Sequence, residues 1–279
     1  MELVILVSRK LWPSMLLLLF LTVGFINGSL AFDYFKEKPS YIKSCKIYEP
    51  EFTKCSTQSI QRFLQEVFSG KVTEVTDAVG KLDPLHLDEI NFKQDNNDAA
   101  TLRAHLTNLM ISGLSNIQVT ESRVSKKDFS WLTKLFCPKF KIEGHYKMDG
   151  RVLLLPLRGE GQMLIDIDAM NITMRTKTRL IEKGGFTFYN VTDVKVDLDA
   201  MKMNSQFDNL FGGNNEEINR STNESFNKNW RDFFEALRPL ITDTVDKIMF
   251  RLLAKLFLMY PASFFVEDIP TPQKLYGKV

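Results

Sequence analysis

The chain has 279 residues, a formal net charge of +2 and 44% hydrophobic residues. Acidic and basic residues are interspersed as on an ordinary solvated surface, and there is no basic patch interleaved with aromatic residues, which argues against a nucleic-acid-binding protein. The length and the hydrophobic content suffice for one elongated domain with a large core or for two small domains.

Residues 1–31 have the pattern of a secretory signal peptide. Arg9 and Lys10 form a basic region, residues 11–26 form an apolar stretch, and Ser29-Leu30-Ala31 is a small-x-small cleavage site. We therefore predict a secreted, extracellular protein that begins at Phe32, with an uncleaved signal anchor as the alternative.

Cysteine usage and sequons agree with a secretory route. Cys45 and Cys55 enclose a short loop, and in a secreted chain a disulfide is expected there. The remaining Cys137 is interpreted as a buried small hydrophobe, with a reactive thiol or intermolecular pairing as alternatives. Asparagine sequons predict glycosylation at solvent-facing positions, namely Asn171, Asn190, Asn219 and Asn223.

The N-terminal part predicts an amphipathic helix, and the middle of the chain then changes to a period of two. Ser56 or Thr57 is expected to cap a helix over residues 59–68. Strands are predicted over residues 85–92, 102–111 and 117–124. The dipeptide Asp149-Gly150, between two strand-like runs, predicts a type I′ hairpin, and Pro156 predicts an edge or a bulge.

The stretch 162–181 predicts a long strand with a fault in it. The apolar positions are odd-numbered up to Ala169 and even-numbered from Met170 onward, so we predict a β-bulge there. After a turn at residues 183–185, a strand over 186–203 follows. Within it, Asn190 can face solvent only if the strand is irregular at Val191-Thr192.

Apolar residues recur at helical spacing from Ser225 to Tyr260 and predict one long helix, kinked at Pro239. From Ile248 the helix is apolar almost all round, but the run is shorter than the roughly 18 to 20 residues that a membrane span needs. We therefore expect other elements to cover the helix. Residues 271–279 are predicted to be a flexible tail.

Together these elements predict an α+β fold in which a long C-terminal helix is wrapped by a highly curved antiparallel sheet. The many inward-facing phenylalanine and methionine residues fit either a filled core or an apolar ligand tunnel. Periodicity alone leaves both interpretations open.

A set of ordered motifs resembles the takeout / juvenile hormone-binding protein family of insects, over essentially the whole mature chain. These motifs are the pair Cys45 and Cys55, residues 81–85 (KLDPL), 111–115 (ISGLS), 141–146 (KIEGHY), 150–156 (GRVLLLP), 159–161 (GEG) and 226–230 (FNKNW).

The resemblance implies a tubular lipid-binding fold, with a single ligand-binding domain over residues 32–270 and an apolar tunnel along the helix. It implies a carrier of small hydrophobic ligands, such as juvenile hormone-like terpenoids or fatty-acid-like chains. The hormone-binding members carry a second disulfide, whereas Cys137 has no partner, which favours the takeout-like branch.

Patterns that indicate catalysis are scarce. His86, His105 and His145 do not pair at metal-ligand spacing, and there is no Gly-x-Ser-x-Gly motif. The pairs of aspartates that alternate with apolar residues are interpreted as solvated strand faces. We predict a protein that is not an enzyme and needs no cofactor or metal.

Binding of a small hydrophobic ligand by a monomer is the predicted function. The alternative is a secreted interaction or signalling protein of the same fold that contacts a receptor or a membrane surface. Tyr146 is the candidate polar handle, with a packed core tyrosine as the other interpretation. The predicted ligand-binding residues are Trp230, Phe233, Leu237, Leu240, Ile241, Ile248 and Leu252 on the helix, and Tyr146, Leu153, Met163, Ile165, Ile172, Met174, Val194 and Val196 on the sheet.

Overall fold

Antiparallel strands and a long C-terminal helix dominate the fold. The computed structural model describes residues 34–94, 100–153, 155–210 and 216–277, so the predicted signal peptide lies outside the described residues. The strands are β1 (Leu85–Gln94), β2 (Ala100–Ser112), β3 (Gln118–Val124), β4 (Trp131–Val152), β5 (Leu155–Lys183) and β6 (Phe186–Phe207). The helices are α1 (Phe52–Phe68), α2 (Thr73–Val79), α3 (Glu216–Lys228), α4 (Trp230–Met259) and α5 (Pro272–Tyr276), with 3-10 turns at Leu114–Asn116 and Ala262–Phe264.

The strands form one sheet in the order β1-β2-β4-β5-β6, and β3 pairs with the first half of β4. All these pairings are antiparallel. The sheet is strongly curled into a half-barrel and is combined with the long C-terminal helix, as predicted. Among the described residues, none of the helices is long and apolar enough to cross a membrane.

The inward-facing set of β5 changes from odd to even residue numbers between Ile167 and Met170, as predicted. The β-bulge predicted there is wrong, because the pairing register of β5 with its neighbours does not shift at this level. Instead, three adjacent strands each place two residues between successive inward side chains, and Ala169 adopts a φ of 55° at this step. We call this level the seam. The residues aligned across β4, β5 and β6 are Phe140, Ile167 and Met203 on one side of it, and Cys137, Met170 and Ala200 on the other.

The irregularity required for Asn190 to face outward is present. The register between β5 and β6 shifts between Lys177 and Thr178, because Lys177 pairs with Asp193 whereas Thr178 pairs with Val191. Thr192 is the extra residue.

The predicted hairpin at Asp149-Gly150 is wrong. Strand β4 continues through both residues, and β5 begins at Leu155. Gly150 has a φ of 154°, and a Cβ there would collide with the carbonyl oxygen of Thr101 on β2. This glycine therefore permits a close approach of two strands and does not make a turn. Pro156 lies on β5 before its described pairing with β6 begins, so the predicted edge position is confirmed.

The predicted helix boundaries need correction. The first helix begins at Phe52, and neither Ser56 nor Thr57 caps it. The Ser56 hydroxyl instead donates to Ser122 Oγ at 2.9 Å, and Thr57 Oγ1 accepts from Ser122 N at 2.9 Å, so both residues hold α1 on β3.

The single C-terminal helix predicted over residues 225–260 is two helices. Asn229, with φ −113° and ψ 23°, separates α3 from α4. Helix α4 continues through Pro239.

Side chains of α3 and α4 pair with the backbone of β6 along its outer edge. Asn227 accepts from Ser205 N at 2.7 Å and donates to Ser205 O at 2.8 Å. One helical turn earlier, Asn223 makes the same pair of bonds with Phe207, each at 2.9 Å. An edge strand has no neighbour to pair with its outer N–H and C=O groups. The asparagine amides bond to these groups instead, and they fix the helix against the sheet.

The disulfide between Cys45 and Cys55 is present, as predicted, with an S–S distance of 2.04 Å. The backbone N–H of Cys45 donates to Phe265 O at 2.9 Å, which ties the segment after α4 to the segment before α1. Helix α5 contacts the sheet, because Leu180 N donates to the hydroxyl of Tyr276 at 2.9 Å. The domain boundary at residue 270 stays a prediction.

Candidate functional site

Three buried clusters follow one another along the inner face of the sheet. The disulfide-end cluster contains Trp131, Leu180 and Tyr189 together with α1 and the end of α4. The central cluster lies around Met170 and Met174, and the Tyr146 cluster lies at the far end.

The predicted ligand-binding residues are divided between these clusters. Phe233, Leu237, Leu240, Tyr146, Leu153 and Met163 lie in or against the Tyr146 cluster, Trp230, Ile241, Ile172, Met174, Val194 and Val196 lie in or against the central cluster, Ile165 packs against both, and Leu252 packs against the disulfide-end cluster. Ile248 is partly buried.

On one face of α4, side chains near both ends of the helix are buried and those between them are partly exposed. Phe234 and Leu256 lie on this face and are 6% and 5% exposed. Between them, the side chains on the same face stay partly exposed, although they pack against the same clusters. Helical spacing places these residues in one row, and they are Ile241, Val245, Met249 and Leu252.

The sheet opposite this row is also incompletely covered. Ile165, Ile172 and Met203 belong to the inward-facing sets of β5 and β6, yet they remain partly exposed while their neighbours Met170 and Ala200 are 2% exposed. Protein interiors are normally close-packed, so partial exposure on two facing apolar surfaces indicates space between them.

Tyr146 is buried, at 2% exposure, and its hydroxyl donates to Asp208 O at 2.5 Å. Burial raises the pKa of Tyr146 well above the usual value of a tyrosine. Since the hydroxyl already has a partner, the structure favours the packed core tyrosine over the polar handle. The motif at 159–161 allows the chain to approach this region closely. A Cβ at Gly159 or Gly161 would clash with the backbone of residues 208–210.

Trp131 and Tyr189 are functional candidates that the sequence did not single out. Trp131 is 5% exposed and Tyr189 is fully buried, and their ring centroids are 5.5 Å apart. Neither the indole Nε1 nor the tyrosine hydroxyl has a hydrogen-bond partner among the described residues. Both residues read in the sequence as ordinary strand aromatics, and only the tertiary structure brings their polar atoms together.

The outer face of the sheet carries a separate polar cavity of about 420 Å³. It is lined by His105, His145 and the ion pair between Lys147 and Glu160, whose Nζ and Oε2 atoms are 2.7 Å apart. Its lining residues do not belong to the apolar row of α4. In the described part of the chain, no cluster of histidine, cysteine and carboxylate side chains has the arrangement of a metal site.

The remaining predicted positions differ in exposure. Asn171 is exposed and Asn190 is partly buried, whereas the amides of Asn219 and Asn223 hydrogen-bond to the backbone at the end of β6 and just beyond it. Cys137 is fully buried, as predicted, and its burial raises the pKa of the thiol.

Comparison with known proteins identifies the family. Residues 16–267 match the model of the haemolymph juvenile hormone binding protein family. The chain belongs to this family. A search of curated proteins finds the circadian clock-controlled protein daywake of Drosophila yakuba, 24% identical over 236 residues, which cover 82% of this chain and 88% of that protein. Daywake of Drosophila melanogaster is 24% identical over 242 residues, with the same coverage.

Among solved structures, Takeout 1 of Epiphyas postvittana superposes with a TM-score of 0.70 at 20% identity, covering 82% of this chain and all of that one. This likeness shows that the present family member has the takeout fold.

Proposed function

We propose that this protein is a secreted carrier that binds a small hydrophobic ligand between α4 and the inner face of the sheet. The observation that carries the proposal is the row on α4 that is buried at Phe234 and Leu256 and partly exposed between them. Membership in the haemolymph juvenile hormone binding protein family supports the same function.

The energetics of burial favour an apolar ligand. Covering apolar surface contributes roughly 25 cal/mol per Å², so each 100 Å² of newly buried side chain would stabilise the complex by about 2.5 kcal/mol before the cost of association. Methionines such as Met170, Met174 and Met249 adapt to guests of different shape. A terpenoid or a fatty-acid-like chain therefore fits this wall.

Support for secretion comes from the signal-like sequence of residues 1–31 and from the disulfide. Disulfides persist mainly in oxidising compartments. We expect the mature protein outside the cell.

The test fills the space from the helix side. Val245→Trp or Met249→Trp would place an indole in the volume assigned to the ligand. We expect either substitution to lower the affinity for the fluorescent apolar probe N-phenyl-1-naphthylamine by at least about tenfold, measured by titration, while the protein remains folded by circular dichroism.

Phe250→Trp is the matched control, because Phe250 is adjacent in sequence but is 38% exposed on another face of α4. It should leave probe affinity unchanged. If the wild-type protein fails to bind the probe, or if the folded Met249→Trp variant binds it as tightly as the wild type does, the proposed site is wrong. Phe233 is a poor test position, because its ring stacks on Phe226 with centroids 4.3 Å apart and its replacement would disturb the fold.

A further inference from the structure

We propose that the indole N–H of Trp131 and the hydroxyl of Tyr189 together bind a neutral carbonyl oxygen at the head of the ligand. This inference rests on the proposed carrier function and assigns the polar end of the same site.

Two buried polar atoms without partners are the first observation. A buried donor that makes no hydrogen bond costs about 1–3 kcal/mol, so native proteins rarely keep one without a reason. Here two such atoms, Trp131 Nε1 and Tyr189 Oη, belong to rings in contact with each other. Both rings also contact Phe257 of α4, with centroid distances of 5.8 and 5.4 Å.

The chemistry of the two atoms indicates what they bind. An indole N–H can only donate, and a tyrosine hydroxyl can donate as well as accept. A carbonyl oxygen has two lone pairs and can accept from both groups at once. One such oxygen would satisfy the pair.

The position of the pair places it at the end of the proposed ligand wall. Trp131 is aligned with Thr176 on β5 and, through it, with Val194 on β6. The next inward row toward the central cluster contains Met174 and Val196, two residues of the wall. The pair therefore lies where the apolar inner face meets the packed disulfide-end cluster.

Electrostatics favour a neutral head over an anionic one. Burial raises the pKa of Tyr189 well above its usual value. The Trp131 indole N–H beside the hydroxyl partly opposes this rise, and the carboxylate of Asp268 adds to it. A ligand carboxylate would bring a negative charge into this buried region, which is costly without a cation. An ester or ketone oxygen avoids that cost.

The experiment compares three competitors that displace N-phenyl-1-naphthylamine: methyl myristate, the hydrocarbon n-pentadecane and myristic acid at neutral pH. We expect Tyr189→Phe and Trp131→Phe each to lower the affinity for methyl myristate by roughly three- to tenfold, the effect of one lost hydrogen bond. Binding of pentadecane should change less than twofold, and the wild type should prefer the ester to the ionised acid.

Tyr260→Phe is the matched control. Tyr260 is equally buried in the same cluster, at 1% exposure, but its hydroxyl already bonds to that of Tyr41 at 3.0 Å. This variant should leave the ratio of ester to hydrocarbon affinity unchanged. The inference is overturned if the Tyr189→Phe protein keeps the wild-type ratio, which is the outcome expected if only water occupies the site. Failure of the wild type to bind any of the three competitors would instead count against the carrier function.

Discussion

Asp246 is a charged side chain of α4 that is nevertheless buried, at 8% exposure. One carboxylate oxygen accepts from Val196 N at 2.6 Å, and the other lies 3.0 Å from Lys195 Nζ. Val196 is on the wall of the proposed site, so this aspartate sets the position of the helix relative to that wall. The burial of this carboxylate is therefore explained by the edge of β6, whose backbone N–H needs an acceptor.

We predict that Asp246→Ala lowers the free energy of unfolding by about 2–3 kcal/mol, because it leaves a buried N–H without an acceptor. Asp246→Asn keeps an oxygen for Val196 and should cost less. Urea unfolding followed by circular dichroism measures both. Equal stability of the wild type and the alanine variant would show that the bond contributes nothing.

At the scale of residues, the sequence identified inward-facing side chains of the sheet but not the contact between Trp131 and Tyr189. Val194, Val196 and Met174 followed from the alternation of strand residues, because alternation reports which face a side chain occupies. The pairing of Trp131 with Tyr189 joins residues from strands that are distant in sequence, and no local pattern records it. Tyr146 is also an aromatic residue on a predicted strand, yet its hydroxyl donates to the backbone oxygen of Asp208.

At the scale of elements, the row of asparagines on α3 shows how a helix can complete a sheet. Asn223 uses its amide oxygen and its amide nitrogen on Phe207 and also donates to Asn219 O at 3.0 Å. Both N–H groups of the amide are therefore engaged. A glycan on that nitrogen would replace one of them, so glycosylation at Asn223 conflicts with the observed packing.

We predict that Asn223→Ala destabilises the protein by about 2 kcal/mol through the loss of these bonds. Ser225→Ala removes the same sequon without touching the amide, and it should leave both the stability and the glycan mass unchanged. Thermal unfolding and glycopeptide mass spectrometry of protein secreted from insect cells test this. A folded fraction that carries a glycan on Asn223 would contradict it.

The predicted strands and helices were correct in type where periodicity decides. The errors are the β-bulge at Ala169, the cap at Ser56 or Thr57, the hairpin at Gly150 and the unbroken helix across Asn229. The long strands and the curled sheet follow from alternation and from the antiparallel connections. Gly150, however, serves close strand packing, and Asn229 interrupts a helix whose apolar spacing runs on across the break. Both decisions depend on neighbours that the local sequence does not contain.

At the scale of the whole molecule, four of the seven tyrosines are held with a raised pKa. Burial is the main cause for Tyr41, Tyr146, Tyr189 and Tyr260. In the unfolded chain these hydroxyls ionise near pH 10, whereas the folded protein keeps them neutral. The folded state therefore retains protons that the unfolded state loses.

Below about pH 9 both states are protonated and the stability is unaffected, whereas above about pH 10 the unfolded state binds fewer protons and becomes favoured. We predict that the free energy of unfolding falls by up to about 1.4 kcal/mol per pH unit for each buried tyrosine. Urea unfolding between pH 7 and 11, with phenolate absorbance at 295 nm, measures this. Ionisation of all seven tyrosines without loss of native circular dichroism would contradict it.

The seam couples the lengths of three strands. If Ala169 alone were deleted, Cys137 would align with Asn171 in place of Met170, and the register of β5 would conflict with both neighbours beyond that point. A gain or loss of one residue at this level is compatible with the fold only when β4, β5 and β6 change together. Alignments of family members should therefore show gaps here in all three strands at once or in none of them, so that evolution at this level proceeds by concerted steps.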